Sequence, residues 1–414
     1  MTAPGRIVVV GASAGGLSTA AALRSQGYEG ELVLVGEEPH PPYDRPPLSK
    51  QFLDGRWESE RLALRDDAGL DALGLDLRLG TAAVGLDLAT RQVTLGDGTR
   101  LAYDALVVAT GVRPRRLAVP GVAPASGVHV LRTLEDAKAL RARLLPGRRL
   151  VTVGGGFVGT EAAAVARGLG VEVTLVEPAP VPLARALGEE TGRFLTQVQL
   201  EHGVDVRSGV AAAEILRTRG DVSGVRLTDG SVVPADDVLA AVGSLPNTEW
   251  LTGSGLRTDD GLVCDRFCAA APGVYGVGDV ACWHNPLFDA PMHIEHRGNA
   301  AEQALTVAHN LLHPDAPRPY APVPYFWTDQ YDLKLQCYGN LHGHDTCSVV
   351  EGRLAQRRFV VAYRTADRLS AVLAVGMPPK TRRTWRAAVA ARTPWTTAVA
   401  ESAGAEQLTG PLRL

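Results

Sequence analysis

Two strand-to-glycine-to-helix turns and a pair of strand-to-glycine crossovers predict an α/β fold: two Rossmann-like dinucleotide-binding domains, the second inserted into the first, plus a C-terminal α+β domain. In the stronger turn the apolar run 150–153 breaks into Gly154, Gly155 and Gly156, and an alanine-rich helical pattern follows. Within Gly154-x-Gly156-x-x-Gly159 the first glycine permits the tight turn and the second lets backbone approach a pyrophosphate. The third lets the helix pack on its strand. A further apolar run, 173–176, ends in Glu177, where a carboxylate is placed to hydrogen-bond an adenosine ribose.

The N-terminal turn repeats this outline. A strand over 7–10 leads into Gly11-Ala12-Ser13-Ala14-Gly15-Gly16, a helix runs to Leu23, and a second strand, 31–35, ends near Glu37. Ser13 stands where the second glycine is expected, and its hydroxyl is suited to donate to a pyrophosphate. Glu37 is favoured over Glu38 as the ribose ligand because it follows the strand directly. Next comes Tyr43-Asp44-Arg45-Pro46-Pro47-Leu48-Ser49-Lys50, an extended segment stiffened by two prolines, with Ser49 expected to cap a helix. Taken alone, this run reads as a rigid surface loop carrying a solvated lysine.

Residues 74–107 read as a small antiparallel insertion that ends in a buried strand stopping at Ala109-Thr110-Gly111. A second crossover, 237–243, stops at Gly243. Crossovers on both sides of one nucleotide unit place it inside the other, giving domains 1–112 with 244–314, and 113–243. A strand over 274–279 then delivers Asp279 to a ligand, and a helix opens around 294–299, with Arg297 in its first turn, and runs to about 312. The proline-rich stretch 314–324 leads into the last domain, 315–414, which combines alternating strands with a basic helical tail.

Composition narrows the function. The chain has 414 residues, which suits two to three domains, and a formal net charge of −3, which gives no basic surface for nonspecific nucleic-acid binding. Its five cysteines form no even, closely spaced framework, so the expected compartment is reducing. Cys264 and Cys268 are one residue too far apart for a Cys-x-x-Cys redox motif, and no metal-ligand pattern is present. With neither a signal-peptide core at the N-terminus nor a membrane-spanning apolar run, the expectation is a soluble, cytoplasmic protein.

Several motifs in one order resemble a known family. These are Gly11-x-Ser13-x-x-Gly16, Arg45-Pro46-Pro47-Leu48-Ser49-Lys50, Ala109-Thr110-Gly111, Gly154-x-Gly156-x-x-Gly159 with Glu161, Gly278-Asp279, and Phe326-Trp327-Thr328-Asp329-Gln330-Tyr331. Together they resemble the FAD-dependent, NADH-using ferredoxin reductases that serve bacterial oxygenases and cytochromes P450. The resemblance implies FAD on the first unit, with its pyrophosphate on Gly11 to Gly16 (Ser13 and Gly15 included), its ribose on Glu37 and its ribityl chain on Asp279. It implies NADH on the second, at Gly154, Gly156, Gly159, Glu177 and Gly243.

Arg45 and Arg132 are implied as FAD contacts. Arg297 falls where relatives often carry an apolar or tryptophan residue, so its part in flavin contact or partner docking is open. Lys50, paired with Glu161, is implied beside the flavin as a fixed cation. Trp327 and Gln330 are implied over the flavin's other edge, on the acceptor side, against the simpler reading of a core tryptophan. The run 380–386, with Lys380, Arg382, Arg383 and Arg386, reads either as a docking face for an acidic iron–sulfur ferredoxin or as a solvated helix face. No Cys-x-x-x-x-Cys lies near residue 45, which argues against disulfide chemistry. The alternatives are a rubredoxin or quinone reductase, or a non-catalytic redox switch binding FAD and NADH, and both monomer and homodimer fit the resemblance.

Overall fold

The structure is a computed structural model that describes residues 4–122 and 127–400. The chain falls into two compact units. The first comprises the residues up to Asp44, Glu60–Arg113 and Leu245–Phe326; the second comprises Arg45–Ser59, Pro114–Ser244 and the chain from Trp327 onward.

The first unit is built on β1 (Arg6–Val10), α1 (Ala14–Ser25) and β2 (Glu31–Val35). Its six-stranded sheet runs, in space, Ala269–Ala271, Val274–Gly276, Ala105–Val108, β1, β2, Asp76–Arg78. β1 pairs in parallel with both β2 and Ala105–Val108. A parallel strand with helices over the sheet is buried on both faces, which is why β1 is almost wholly β-branched rather than alternating; Ile7, Val8 and Val9 have no exposed surface. The helix Arg297–Leu312 packs against α1.

Within 74–107, only Ala83–Asp87, Gln92–Leu95 and Arg100–Ala102 form the separate antiparallel sheet. Asp76–Arg78 and Ala105–Val108 instead extend the main sheet in parallel. Strands of three or four residues carry too little pattern to name their partner, so the sequence does not separate the two sheets.

The second unit repeats the arrangement with β3 (Arg149–Val153), α2 (Phe157–Gly168) and β4 (Glu172–Glu177). Its five-stranded parallel sheet runs Asp205–Ser208, β4, β3, Asp237–Ala240, Val128–His129. A three-stranded antiparallel sheet, Ala212–Thr218, Asp221–Leu227 and Val232–Pro234, accompanies it. From Trp327 onward the same unit holds a second five-stranded sheet, in the order β5 (Tyr325–Gln330, its first two residues counted with the first unit), Leu333–Gly339, Arg368–Val375, Arg358–Thr365, Thr346–Arg353. The basic helix α3 (Pro379–Ala390) packs on two of its strands.

One charge knot ties the parallel sheet together. The carboxylate of Asp237, only 2% exposed, accepts from Arg148 at 2.6 and 3.1 Å and from Arg143 at 2.9 Å, and lies 3.0 Å from His129 Nε2. Burial pushes this carboxyl up, but hydrogen bonds from His129, Arg148 and Arg143 outweigh burial and leave it below the ordinary carboxylate value. A group depressed in the folded state stabilises above its unfolded pKa, about 4, and that stabilisation disappears as pH falls through the folded value. Asp237→Asn is therefore expected to lower stability in urea at pH 7 by on the order of 3 kcal/mol. The deficit should shrink as the unfolding is repeated toward pH 3; a deficit independent of pH would show that the carboxylate's charge is not what stabilises the sheet.

Candidate functional site

In the second unit the glycine turn separates into packing glycines and an open one. Gly154 has φ of +105°, and a Cβ there would collide with the Ala241 carbonyl; a Cβ at Gly159 would collide with the Gly154 carbonyl. Gly156, which caps α2 in an extended conformation, would meet nothing within 4 Å. The first and third glycines thus satisfy the close approach of helix to strand. The second leaves clear space at a helix N-terminus whose amides face outward, the geometry a pyrophosphate requires. Glu177 ends β4 beside this turn and accepts from the N–H of Gly155 at 2.6 Å and of Ala179 at 2.8 Å. Two amides fix the carboxylate and leave lone pairs for a ribose hydroxyl. Gly243, with φ of +99°, also faces open space and is fixed by the Arg115 N–H on its carbonyl at 2.9 Å. Arg185 is exposed on the short helix Ala184–Leu187.

One helical turn beyond Gly156, Glu161 is buried at 4% exposure. Its Oε2 accepts from Lys50 Nζ and from Ser49 Oγ, each at 2.6 Å, and its Oε1 accepts from Thr328 Oγ1 at 2.6 Å. Lys50 is itself 9% exposed, so it is not the solvated lysine that its loop suggests. Ser49 does not cap a helix, as the sequence had suggested; it closes the 3-10 turn Pro46–Ser49 and spends its hydroxyl on Glu161. Arg45 and Arg132 also come together, through a 2.7 Å bond from the Arg45 guanidinium to the Arg132 carbonyl. The Arg132 and Thr133 amides in turn bond the Asp136 carboxylate in a capping box. Trp327 is half-buried on β5. Sequence reasoning had missed Ser49 and Thr328 as partners of Glu161. The available signal was Thr328's place on the inward face of an alternating strand.

In the first unit Gly11 has φ of +117°, and a Cβ there would collide with the Ala109 carbonyl; one at Gly16 would meet the Gly11 carbonyl. Gly15 is packed more loosely, its Cβ position 3.3 Å from Val277. Ser13 caps α1 and presents a side chain where the other turn has none. Glu38 accepts from the Tyr43 hydroxyl at 2.5 Å, whereas Glu37 is exposed. Strand register pairs Val10 with Val35 and Val153 with Val176, so the residue matching Glu177 is Gly36 and Glu37 lies one position beyond it.

Asp279 sits in the 3-10 turn Gly278–Val280, whose first amide donates to Gln303 Oε1 at 2.8 Å. Arg297 begins the helix Arg297–Leu312, and its Nε donates to Asp44 Oδ1 at 2.6 Å. His296 caps that helix, and its Nδ1 is buried with no hydrogen-bond partner. Burial pushes its pKa down to about 4 against the opposing charge of Asp279. A neutral ring with an orphaned nitrogen beside Arg297 fits a site completed by a polar ligand.

Residues 5–304 match the family described as pyridine nucleotide-disulphide oxidoreductase, and residues 325–405 match the reductase C-terminal family. The chain belongs to the pyridine nucleotide-disulphide oxidoreductases. Membership brings FAD and NAD(H) as cofactors, and the clear space at Gly156 in the second unit fits the pyrophosphate of such a dinucleotide. Yet this oxidoreductase has no cysteine before Cys264, and its five cysteines are all free. It is 39% identical over 383 residues to putidaredoxin reductase CamA of Pseudomonas putida, covering 91% of this chain and 90% of that one. To a probable ferredoxin reductase of Castellaniella defragrans it is 38% identical over 380 residues, covering 91% and 92%. Among solved structures it resembles the covalent putidaredoxin reductase–putidaredoxin complex, with a TM-score of 0.90 at 35% identity over 97% of this chain and 100% of that one. Among the described residues no group of three or more His, Cys, Asp or Glu is placed to hold a metal, and no helix is long and apolar enough to cross a membrane.

The contrast between the glycines of α2 gives a direct check. Gly156→Ala is expected to leave the thermal midpoint of the protein unchanged, whereas Gly159→Ala should lower it by several degrees because the helix must move off its strand. Equal midpoints would mean that the helix is not in van der Waals contact at Gly159.

Proposed function

We propose that this protein carries electrons from NADH through FAD to an iron–sulfur ferredoxin that serves an oxygenase, of which a cytochrome P450 is one kind. The observation that carries the reading is the buried Lys50–Glu161 pair, 2.6 Å apart, in a disulphide-oxidoreductase chain with no cysteine before Cys264. Without a cysteine pair to relay them, electrons have to leave for an external acceptor. Bound FAD supplies the needed conversion, because nicotinamide yields a hydride whereas an iron–sulfur cluster accepts single electrons. The names of the relatives, ferredoxin reductases of oxygenase systems among them, support the same reading.

The chain's own residues divide the work. In the first unit we assign Gly11, Ser13, Gly15 and Gly16 to the FAD pyrophosphate, Glu37 to its ribose, and Asp279 to its ribityl chain, with Arg297 held by Asp44. In the second, Gly154, Gly156 and Gly159 cradle the NADH pyrophosphate, Glu177 holds its ribose, and Gly243 lines the same opening. Arg45 and Arg132, tied to each other, are further FAD contacts. Lys50 holds a positive charge at a fixed, water-poor point where negative charge accumulates on reduction, and Glu161 keeps that charge in place. Trp327 is assigned to the side from which electrons leave. On α3, Lys380, Arg383 and Arg386 are exposed, while Thr381 and Trp385 anchor the opposite side on Glu351. This exposed basic face suits long-range attraction of an acidic ferredoxin.

Three measurements test the reading. The purified protein should show a flavin spectrum and reduce cytochrome c with NADH only when a ferredoxin is added; ferredoxin-independent turnover at the same rate would contradict it. Glu177 should repel the 2′-phosphate of NADPH, so kcat/KM is expected to favour NADH by more than about tenfold, with Glu177→Ala narrowing the gap. Charge reversal at Arg383 and Arg386 should slow ferredoxin reduction at low salt and leave direct dye reduction intact. Equal losses in both assays would remove α3 from the docking face.

A further inference from the structure

Strand β5 buries polar side chains where a strand ordinarily turns apolar ones inward. Thr328 and Gln330 have no exposed surface, and lying two residues apart they share one face. Both reach consecutive residues of α2. Gln330 Nε2 donates to Thr160 Oγ1 at 3.0 Å, while Thr328 donates its hydroxyl to Glu161 Oε1 at 2.6 Å. Lys50 Nζ and Ser49 Oγ occupy Oε2, so the two oxygens of Glu161 are divided between two parts of the chain.

That division has a mechanical consequence. The last torsion of a glutamate is broad, so a carboxylate held through one oxygen turns easily about it. Held through both, it has one plane. The hydroxyl also draws on carboxylate charge that Lys50 would otherwise face alone. With that donor gone, the remaining charge attracts the ammonium more strongly and pulls it toward Glu161.

We propose that Thr328 is a positioning residue: its hydroxyl sets the plane of the Glu161 carboxylate, thereby fixes the Lys50 ammonium, and through that charge tunes the reduction potential of the bound flavin. This rests on the assignment of Lys50 to the flavin under Proposed function. Thr328 itself touches neither the nicotinamide nor the acceptor in this scheme; it acts through Glu161.

The test compares Thr328→Val, Thr328→Ser and Lys50→Met in the FAD-loaded protein by dye-equilibrated measurement of the flavin midpoint potential. Bleaching of the flavin by NADH is timed in parallel, with thermal midpoints as a control on folding. Thr328→Val is expected to shift the potential in the same negative direction as Lys50→Met and to slow bleaching by about tenfold, the size of one lost hydrogen bond to a charged group. Thr328→Ser should restore both values. A shift in Lys50→Met with a wild-type potential in Thr328→Val overturns the positioning role and leaves the Lys50 assignment standing. Wild-type potentials in both overturn the two together. If Thr328→Val fails to fold, Thr328→Cys, of similar size with a weaker donor, is measured instead: a negative shift supports the proposal, and a wild-type potential overturns it.

Discussion

An ammonium and a carboxylate enclosed together impose conditions that the residues around them have to meet. Removing each ion from water costs several kcal/mol, and mutual attraction offsets this only when the geometry is tight and the remaining lone pairs and protons are satisfied. Around Glu161 they are satisfied: Thr328 takes one oxygen, while Lys50 and Ser49 share the other. Around Lys50, the Pro46 carbonyl and the Ser49 hydroxyl stand at 3.4 Å. The two prolines therefore do more than stiffen a loop. They close a 3-10 turn whose backbone carbonyl and terminal hydroxyl both face the ammonium. Since an apolar replacement of a buried ion pair is often neutral or stabilising, so complete an enclosure points to a use for the charge rather than to stability.

Helix α2 connects this enclosure to the glycine turn. Its first turn offers amides to open space at Gly156, and one turn later it presents Glu161. Ala162, Ala163 and Ala166 are fully buried, so small side chains let the helix lie close to its sheet without displacing either end. The N-terminal helix α1 follows the same plan with different chemistry. Where α2 has Gly156 it has Ser13, and where α2 has Glu161 it has Ser18. Beside the turn, Gly36 replaces Glu177, and the free carboxylate is shifted to Glu37. One backbone device thus appears twice with different side chains around it: an exposed carboxylate near the first turn, and a buried charge one turn beyond the second.

The parts legible in the sequence were those governed by local rules. Glycines at turns, β-branched runs in buried strands and acids near strand ends all follow from backbone sterics and period, and these make the fold class and both strand-to-glycine-to-helix turns readable. The partners of the buried charges follow no such rule. Lys50 and Glu161 are separated by 111 residues, Thr328 and Glu161 by 167, and Asp44 and Arg297 by 253. Nothing within a window around Ser49 distinguishes a helix cap from a donor to a distant carboxylate. Glu161 stood out only through resemblance. Thr328 lay inside a recognised motif without a role, because its burial depends on which face of β5 turns inward.

Trp327 and Thr328 are neighbours on β5, so alternation points them to opposite sides; the first is half-buried, the second enclosed. Gln330 fixes the strand a second time through Thr160, and Gln199 bonds both Gln330 at 3.1 Å and the Tyr331 hydroxyl at 2.8 Å. Two polar anchors two residues apart specify register, since a slip of one residue would turn both outward and leave Glu161 with a bare oxygen. The same anchors hold Trp327 on the other face. In a disulphide reductase a cysteine pair both receives electrons and hands them on. Here no such pair exists, and a strand in a fixed register carries the clamp for Glu161 on one side and the aromatic ring assigned to the exit on the other.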